Sequence, residues 1–392
     1  MDLTIKNATL VLPETTIPNQ DILCKDGKII EITNSNNSQT HTGQTVNAAG
    51  LYLTPGFIDL HIHGTGDYII DAGPDDLSEI CKLLPKYGVT AFLPTLCAKP
   101  KGKDAEFLNT LSKIKTQNTQ ILGFHLEGPF LTLTGALPPD SLGPVDKDRV
   151  KALIEAAKPY KAIFSIAPDF KGIEQLIPIM SANDTPVFMT HTKADVKQTQ
   201  KAIDLGARHA THFYDVFPCP IETDPGVRPC GAVEAILADE TVSVDFILDG
   251  EHVDPVAVKM AMLCKGKDKV CLITDANIGA GREPGRYMSF GDTEVEFAYQ
   301  GAPARMTENS PYPGSLAGSG LTMNLAVKNA IKLLGVDLPT AVRMASSNPA
   351  RVLKIDKSKG QIKVGFDADM VLLDENIEVV QTFVAGKCCY KK

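Results

Sequence analysis

Between residues 56 and 274 the chain repeats one phrase eight times: a short apolar strand, then a stretch of helical character. The strands read as Gly56–His61, Thr90–Pro94, Ile121–Glu127, Ala162–Ala167, Pro186–Thr190, Ala207–Thr211, Val242–Leu248 and Val270–Thr274. Helical segments such as Asp76–Lys86, Lys147–Ala157, Lys197–Leu205 and Pro255–Lys265 lie between them. This alternation is the pattern of βα units and a parallel sheet. Eight such units predict a closed (β/α)₈ TIM-like barrel, an α/β fold. An open doubly wound sheet is the alternative. It is disfavoured because no G-x-G-x-x-G follows the first strand.

Barrel enzymes work at the C-terminal ends of their strands, and those ends are where this chain places its metal-binding residue types. Strand one ends in His61-Ile62-His63, two imidazoles on one side of the pleat. Strand three ends in Glu127. Strands five and six run into His191 and His212. Strand seven ends in Asp249-Gly250-Glu251-His252, and strand eight in Asp275. Five of the eight histidines in the chain fall at such ends, which random placement rarely achieves. Imidazole with carboxylate suits one or two divalent ions, with zinc first and iron, manganese or nickel as alternatives. Such an ion activates water at neutral pH. Asp275 is the candidate to take the water proton and pass it to a leaving amine. The predicted reaction is metal-assisted hydrolysis of an amide or similar bond.

The flanks differ from the centre. Leu3–Lys6, Ala8–Leu12, Asp21–Cys24 and Lys28–Ile32 alternate as strands, with a hairpin signal at Lys25-Asp26-Gly27. The C-terminus returns to this style at 368–373 and 379–384. Residues 1–52 and 356–392 are therefore expected to form one small β-sandwich beside a catalytic barrel at 53–355. The polar stretch Asn34–Thr45 reads as a loop. The 392 residues are 43% apolar and 22% charged, ordinary for a globular protein. A net charge of −8 argues against nucleic acid, and no apolar run reaches the length of a membrane span. The N-terminus has no signal-peptide pattern. Nine scattered cysteines read as reduced thiols, so a cytoplasmic location is expected.

The ordered motifs then resemble a known family. Pro55–Gly64 resembles the first-strand signature of the amidohydrolase superfamily. His125-Leu126-Glu127-Gly128-Pro129-Phe130 resembles the N-acetylglucosamine-6-phosphate deacetylase branch. Thr211–Tyr214, Asp249–Val253, Thr274–Ala276 and Ser315–Met323 resemble further segments of that branch, in the same order. The resemblance implies a principal metal on Glu127, His191 and His212. It implies a second metal on His61 and His63, with Glu127 bridging. Asp275 would be general base, then general acid. His252 would contact the sugar, with Gly128, Leu316 and Ala317 also at the substrate. It implies a homodimer whose substrate is a small N-acetyl amino sugar.

Three departures fall where the family meets phosphate and sugar. Leu137 stands in place of a substrate-facing His. Asp215 stands where the family has Asn, and Glu222-Thr223-Asp224 where it has His-Arg-Glu. Arg228 or Lys193 could compensate for the missing Arg. The expected activity is deacetylation of an N-acetyl amino sugar without a requirement for phosphate. Hydrolysis of another N-acyl or cyclic amide is the rival, and a non-catalytic scaffold is a third reading. The long connection 277–313 contains a hairpin-like stretch, Tyr287–Phe297, and is expected to cover the site as a lid.

Overall fold

A computed structural model describes residues 2–35, 43–116, 118–290, 293–310 and 312–392. The loop expected at Asn34–Thr45 lies mostly outside the described residues, as does the tip of the Tyr287–Phe297 hairpin. Eight apolar segments form parallel strands: Phe57–Ile62, Val89–Cys97, Phe124–Phe130, Ala162–Ile166, Val187–Met189, Ala207–Ala210, Ser243–Ile247 and Val270–Ile273. Consecutive strands pair in order from first to eighth. Strands one and two are buried at every position, as required of a sheet covered on one face by helices and filled on the other. The intervening helices start where the sequence provides caps. Asp195 and Gln198 form a reciprocal capping box at Val196–Leu205, and Asp146 accepts from Arg149 N at 2.9 Å before Lys147–Ala156.

The seam between strands one and eight is closed by a buried side chain and, beyond it, by backbone bonds. Asp59, fully buried, accepts from Thr274 Oγ1 at 2.6 Å, Thr274 N at 3.2 Å and His61 N at 3.3 Å. Beyond it, Asp275 N donates to His61 O at 2.9 Å, and His63 N and Gly64 N both donate to Ala276 O, at 2.9 and 2.8 Å. Burial pushes the Asp59 carboxyl up to about 7, against these hydrogen bonds. Asp59→Ala would strand two buried N–H donors and should destabilise the protein by about 2–4 kcal/mol. Asp59→Asn keeps one acceptor and should cost less. Denaturant unfolding of the two variants checks this; a loss within about 0.5 kcal/mol for Asp59→Ala would show that the seam is held otherwise.

The chain ends meet in one eight-stranded sheet outside the barrel, ordered Lys387–Lys391, Val379–Val384, Met370–Leu373, Tyr52–Pro55, Leu3–Val11, Thr16–Lys25, Lys28–Asn34, with Gln44–Asn47 also on Leu3–Val11. Tyr52–Pro55 pairs inside this sheet, with Met370–Leu373 and Leu3–Val11, and the first barrel strand starts at Phe57. Leu3, Ile5, Ile22, Leu53, Met370 and Phe383 form its separate core. Lys359 ties it down, 2.8 Å from Asp367 and 2.6 Å from Asp369.

The 277–313 connection forms more than a hairpin. Gly285–Met288, Glu294–Phe297, Pro303–Met306 and Leu316–Ser319 make a four-stranded antiparallel sheet. Val295, Phe297, Ala304 and Met306 give it a core of its own. Its last strand is fastened to strand eight: Ser319 N donates to Asp275 O at 2.8 Å, and Asn277 N to Ser319 O at 2.9 Å.

Candidate metal centre and active site

Three site residues leave their strands in the left-handed region, His191 at φ 47°, His212 at φ 34° and Asp275 at φ 43°. Non-glycine residues adopt it at a cost, and here the surrounding bonds enforce it. His212 N is held by Asp245 Oδ1 at 2.6 Å, and Asp245 Oδ2 lies 2.7 Å from His209 Nε2 in the barrel interior. Asp275 N is held by His61 O, as above. These turns aim the side chains inward over the barrel mouth.

Glu127 is the centre of the arrangement. Its Oε1 lies 2.9 Å from His212 Nε2 and 3.1 Å from His191 Nε2. Its Oε2 lies 3.2 Å from His63 Nε2 and 3.5 Å from His61 Nε2. One carboxylate thus addresses two imidazole pairs, one with each oxygen. Asp275 Oδ1 stands 3.5 Å from the Nε2 atoms of both His61 and His63 and has no hydrogen-bond partner among the described residues. All six residues are buried. His61 is oriented from behind by Thr211 Oγ1 at 3.0 Å from its Nδ1. Below it His125 packs edge-on with ring centroids 4.6 Å apart, and burial holds that ring well below the usual imidazole range, hence neutral.

The donor chemistry fits one or two divalent cations. His61, His63 and Glu127 offer ligand atoms within 4.8 Å of one another, and so do Glu127, His191 and His212. Electrostatics agree. Burial disfavours charge on His212, yet the Glu127 carboxylate outweighs it and pushes the imidazole up to about 10. Burial likewise opposes ionisation of Glu127, and the surrounding histidines hold it well below the usual carboxylate range. The centre is built around positive charge, which a ligated cation supplies as well as a proton. A third group, His63, Asp71 and Cys97, is better read as support for His63. Lys99 neutralises Asp71 at 2.9 Å, and burial keeps Cys97 a thiol, its Sγ 4.0 Å from His63 Nδ1.

The sequence matches the Amidohydrolase family over residues 52–389. The chain belongs to the amidohydrolase family. It is 32% identical to the N-acetylglucosamine-6-phosphate deacetylase of Lysinibacillus sphaericus, over 99% of this chain and 97% of that one. It is also 32% identical to the N-acetylgalactosamine-6-phosphate deacetylase of Escherichia coli O157:H7, over 86% and 87%. Among solved structures, N-acetylglucosamine-6-phosphate deacetylase from Pasteurella multocida superposes with a TM-score of 0.87 at 26% identity, covering 99% of both chains. This amidohydrolase is a hydrolytic enzyme acting on C–N amide bonds, carried on a TIM-like barrel. No helix among its described residues is long and apolar enough to cross a membrane.

Above the ligand ridge of this amidohydrolase opens a cavity of about 520 Å³. It brings together His63, Glu127, His191, His212 and Asp275 with the expected substrate residues Leu137, Asp215, His252, Leu316 and Ala317. His252 is fixed by Asp249, whose Oδ2 lies 2.6 Å from its Nδ1. Burial opposes charge on that ring, and Asp249 reverses the effect and raises its pKa. Three expected residues are elsewhere. Gly128 is not on the cavity wall; at φ 96° it turns the chain away, and a Cβ there would meet Ser141 and Ala98 at 3.3 and 3.4 Å. Arg228 points outward and pairs with Glu234 at 3.1 Å. Lys193 is exposed and likewise off the wall. Sequence reasoning missed Phe290 and Tyr312, which reach the wall from the four-stranded sheet, and Val216 beside Asp215. Phe290 packs edge-on to His63 with centroids 5.3 Å apart. The only signal for the two aromatics was their place in a long connection at the catalytic end.

Proposed function

We propose that this amidohydrolase removes the acetyl group from an N-acetyl amino sugar, releasing acetate and the free amine. The carrying observation is that Glu127 addresses two imidazole pairs, with Asp275 Oδ1, which has no hydrogen-bond partner among the described residues, beside them. The named activities of its relatives support the sugar. His61, His63, Glu127, His191 and His212 would hold the metal, and the imidazole–carboxylate set suits zinc, with iron, manganese or nickel as alternatives. A divalent cation supplies Lewis acidity toward an amide carbonyl and lowers the pKa of water. Asp275 takes the proton from the attacking water and returns it to the departing nitrogen as the C–N bond breaks. His252, held by Asp249, presents its free edge to the sugar. Leu316, Leu137 and Phe290 supply an apolar surface that shields the reacting amide from bulk water.

The test is acetate release from a panel of N-acetyl amino sugars by protein of measured metal content. Prolonged chelation should abolish turnover, and one to two equivalents of zinc should restore it. Turnover that persists in fully metal-free protein would rule out this mechanism. Acetate from no member of the panel, by zinc-loaded protein, would rule out the substrate class.

A further inference from the structure

The wall of the cavity carries a charge that the chemistry does not use. Among the described residues lining it there is no lysine and no arginine. Glu127 is engaged by four imidazoles, and Asp275 faces His61 and His63. Asp215 has no such role. Its backbone is fixed by His212, through N–H to O at 2.9 Å and through its own carbonyl 3.3 Å from His212 Nδ1. Among the described residues, no hydrogen bond or ion pair engages its carboxylate, which lines the cavity half-buried. Thr134, Tyr312 and Ser315 add hydroxyls to the wall and no charge.

We infer that Asp215 selects an uncharged N-acetyl amino sugar, accepting a hydrogen bond from a sugar hydroxyl, over the 6-phosphates in the names of its relatives; this rests on the deacetylase reading above. A carboxylate paired with a hydroxyl donor forms a charge-assisted hydrogen bond. The same carboxylate beside a phosphate dianion is repulsive, and a partly desolvated dianion needs cationic donors; this chain's wall offers no lysine or arginine, and its imidazoles are already turned to Glu127 and Asp249. Arg228, the nearest candidate in sequence, lies on the outside of this chain beside Glu234 and does not line the cavity.

The experiment compares kcat/KM for acetate release from N-acetylglucosamine, N-acetylgalactosamine and the 6-phosphate of each. It uses zinc-loaded wild type and Asp215→Asn. Wild type should prefer the unphosphorylated sugar by about tenfold or more, the effect of one carboxylate at close range in a partly wet site. Asp215→Asn should lower kcat/KM for the neutral sugar and raise it for the phosphate, narrowing the ratio about fivefold or more. Because Asp215 is half-exposed, added salt should also narrow the wild-type ratio, and should affect the variant less. A wild type that favours the 6-phosphate overturns the inference and leaves the deacetylase reading standing. A ratio unchanged in Asp215→Asn also overturns it. Acetate from none of the four sugars overturns both.

Discussion

Asp275→Asn should lower kcat by about 10²–10⁴-fold while leaving the fold and the metal content in place. The backbone bonds that fix this residue, from its N–H to His61 O and from Ser319 N–H to its carbonyl, do not involve the side chain. The left-handed turn at φ 43° is one that Asn tolerates as well as Asp. What changes is basicity at Oδ1, which has no hydrogen-bond partner among the described residues and stands beside the imidazole pair. Steady-state kinetics together with elemental analysis separate the two effects. Activity within a few-fold of wild type at neutral pH would mean that another group moves the proton. A variant that also loses its metal would mean that Asp275 is chiefly a ligand.

Glu127→Ala should remove metal from both imidazole pairs at once, whereas His191→Ala should empty only the position shared with His212. The reason is geometric. Each oxygen of Glu127 serves one pair, so the carboxylate belongs to both ligand groups and His191 to one. Glu127→Ala also leaves buried imidazoles without their counter-charge, and loss of one partner from a buried charged set costs about 3–5 kcal/mol. Metal-free Glu127→Ala should therefore unfold at markedly lower denaturant than metal-free wild type. Metal stoichiometry measured on the two variants decides the matter. Equal residual metal in both would show that Glu127 does not bridge.

Much of this was legible in the sequence, for a physical reason. Barrel strands are short and buried on both faces, so they stand out as apolar runs, and a His or Glu just after such a run is unusual enough to notice. His61, His63, Glu127, His191, His212 and Asp275 were all visible this way. The supports beneath them were not. Asp59 sits inside an apolar run, and its pairing with Thr274 depends on closure of strands 215 residues apart in sequence. The His209–Asp245 contact is likewise internal to two strands, Ala207–Ala210 and Ser243–Ile247, and their pairing appears only once the strands lie side by side. Arg228 lies near a recognisable segment, but proximity along a loop does not set the direction of a side chain, and Glu234 captured it. The four-stranded sheet was read as one hairpin because its strands are short and its apolar positions few. Phe290 and Tyr312 were missed for the same reason.

That sheet carries part of the cavity wall on a unit apart from the barrel. The groups assigned to metal binding and proton transfer stand at the ends of the barrel strands, while Phe290, Tyr312 and Ser315–Gly318 reach the cavity from a unit with its own apolar centre. Substitutions in that unit can reshape what fits without disturbing the ridge that breaks the bond. A lineage built this way can change diet while keeping its chemistry. The freedom ends at the junction. A side chain at Gly318, φ 74°, would press to 2.7 Å on the carbonyl oxygen of Asp275. Exchange of the sheet between relatives should therefore succeed when the graft preserves Gly318 and Ser319, and should displace the Asp275 carboxylate when it does not.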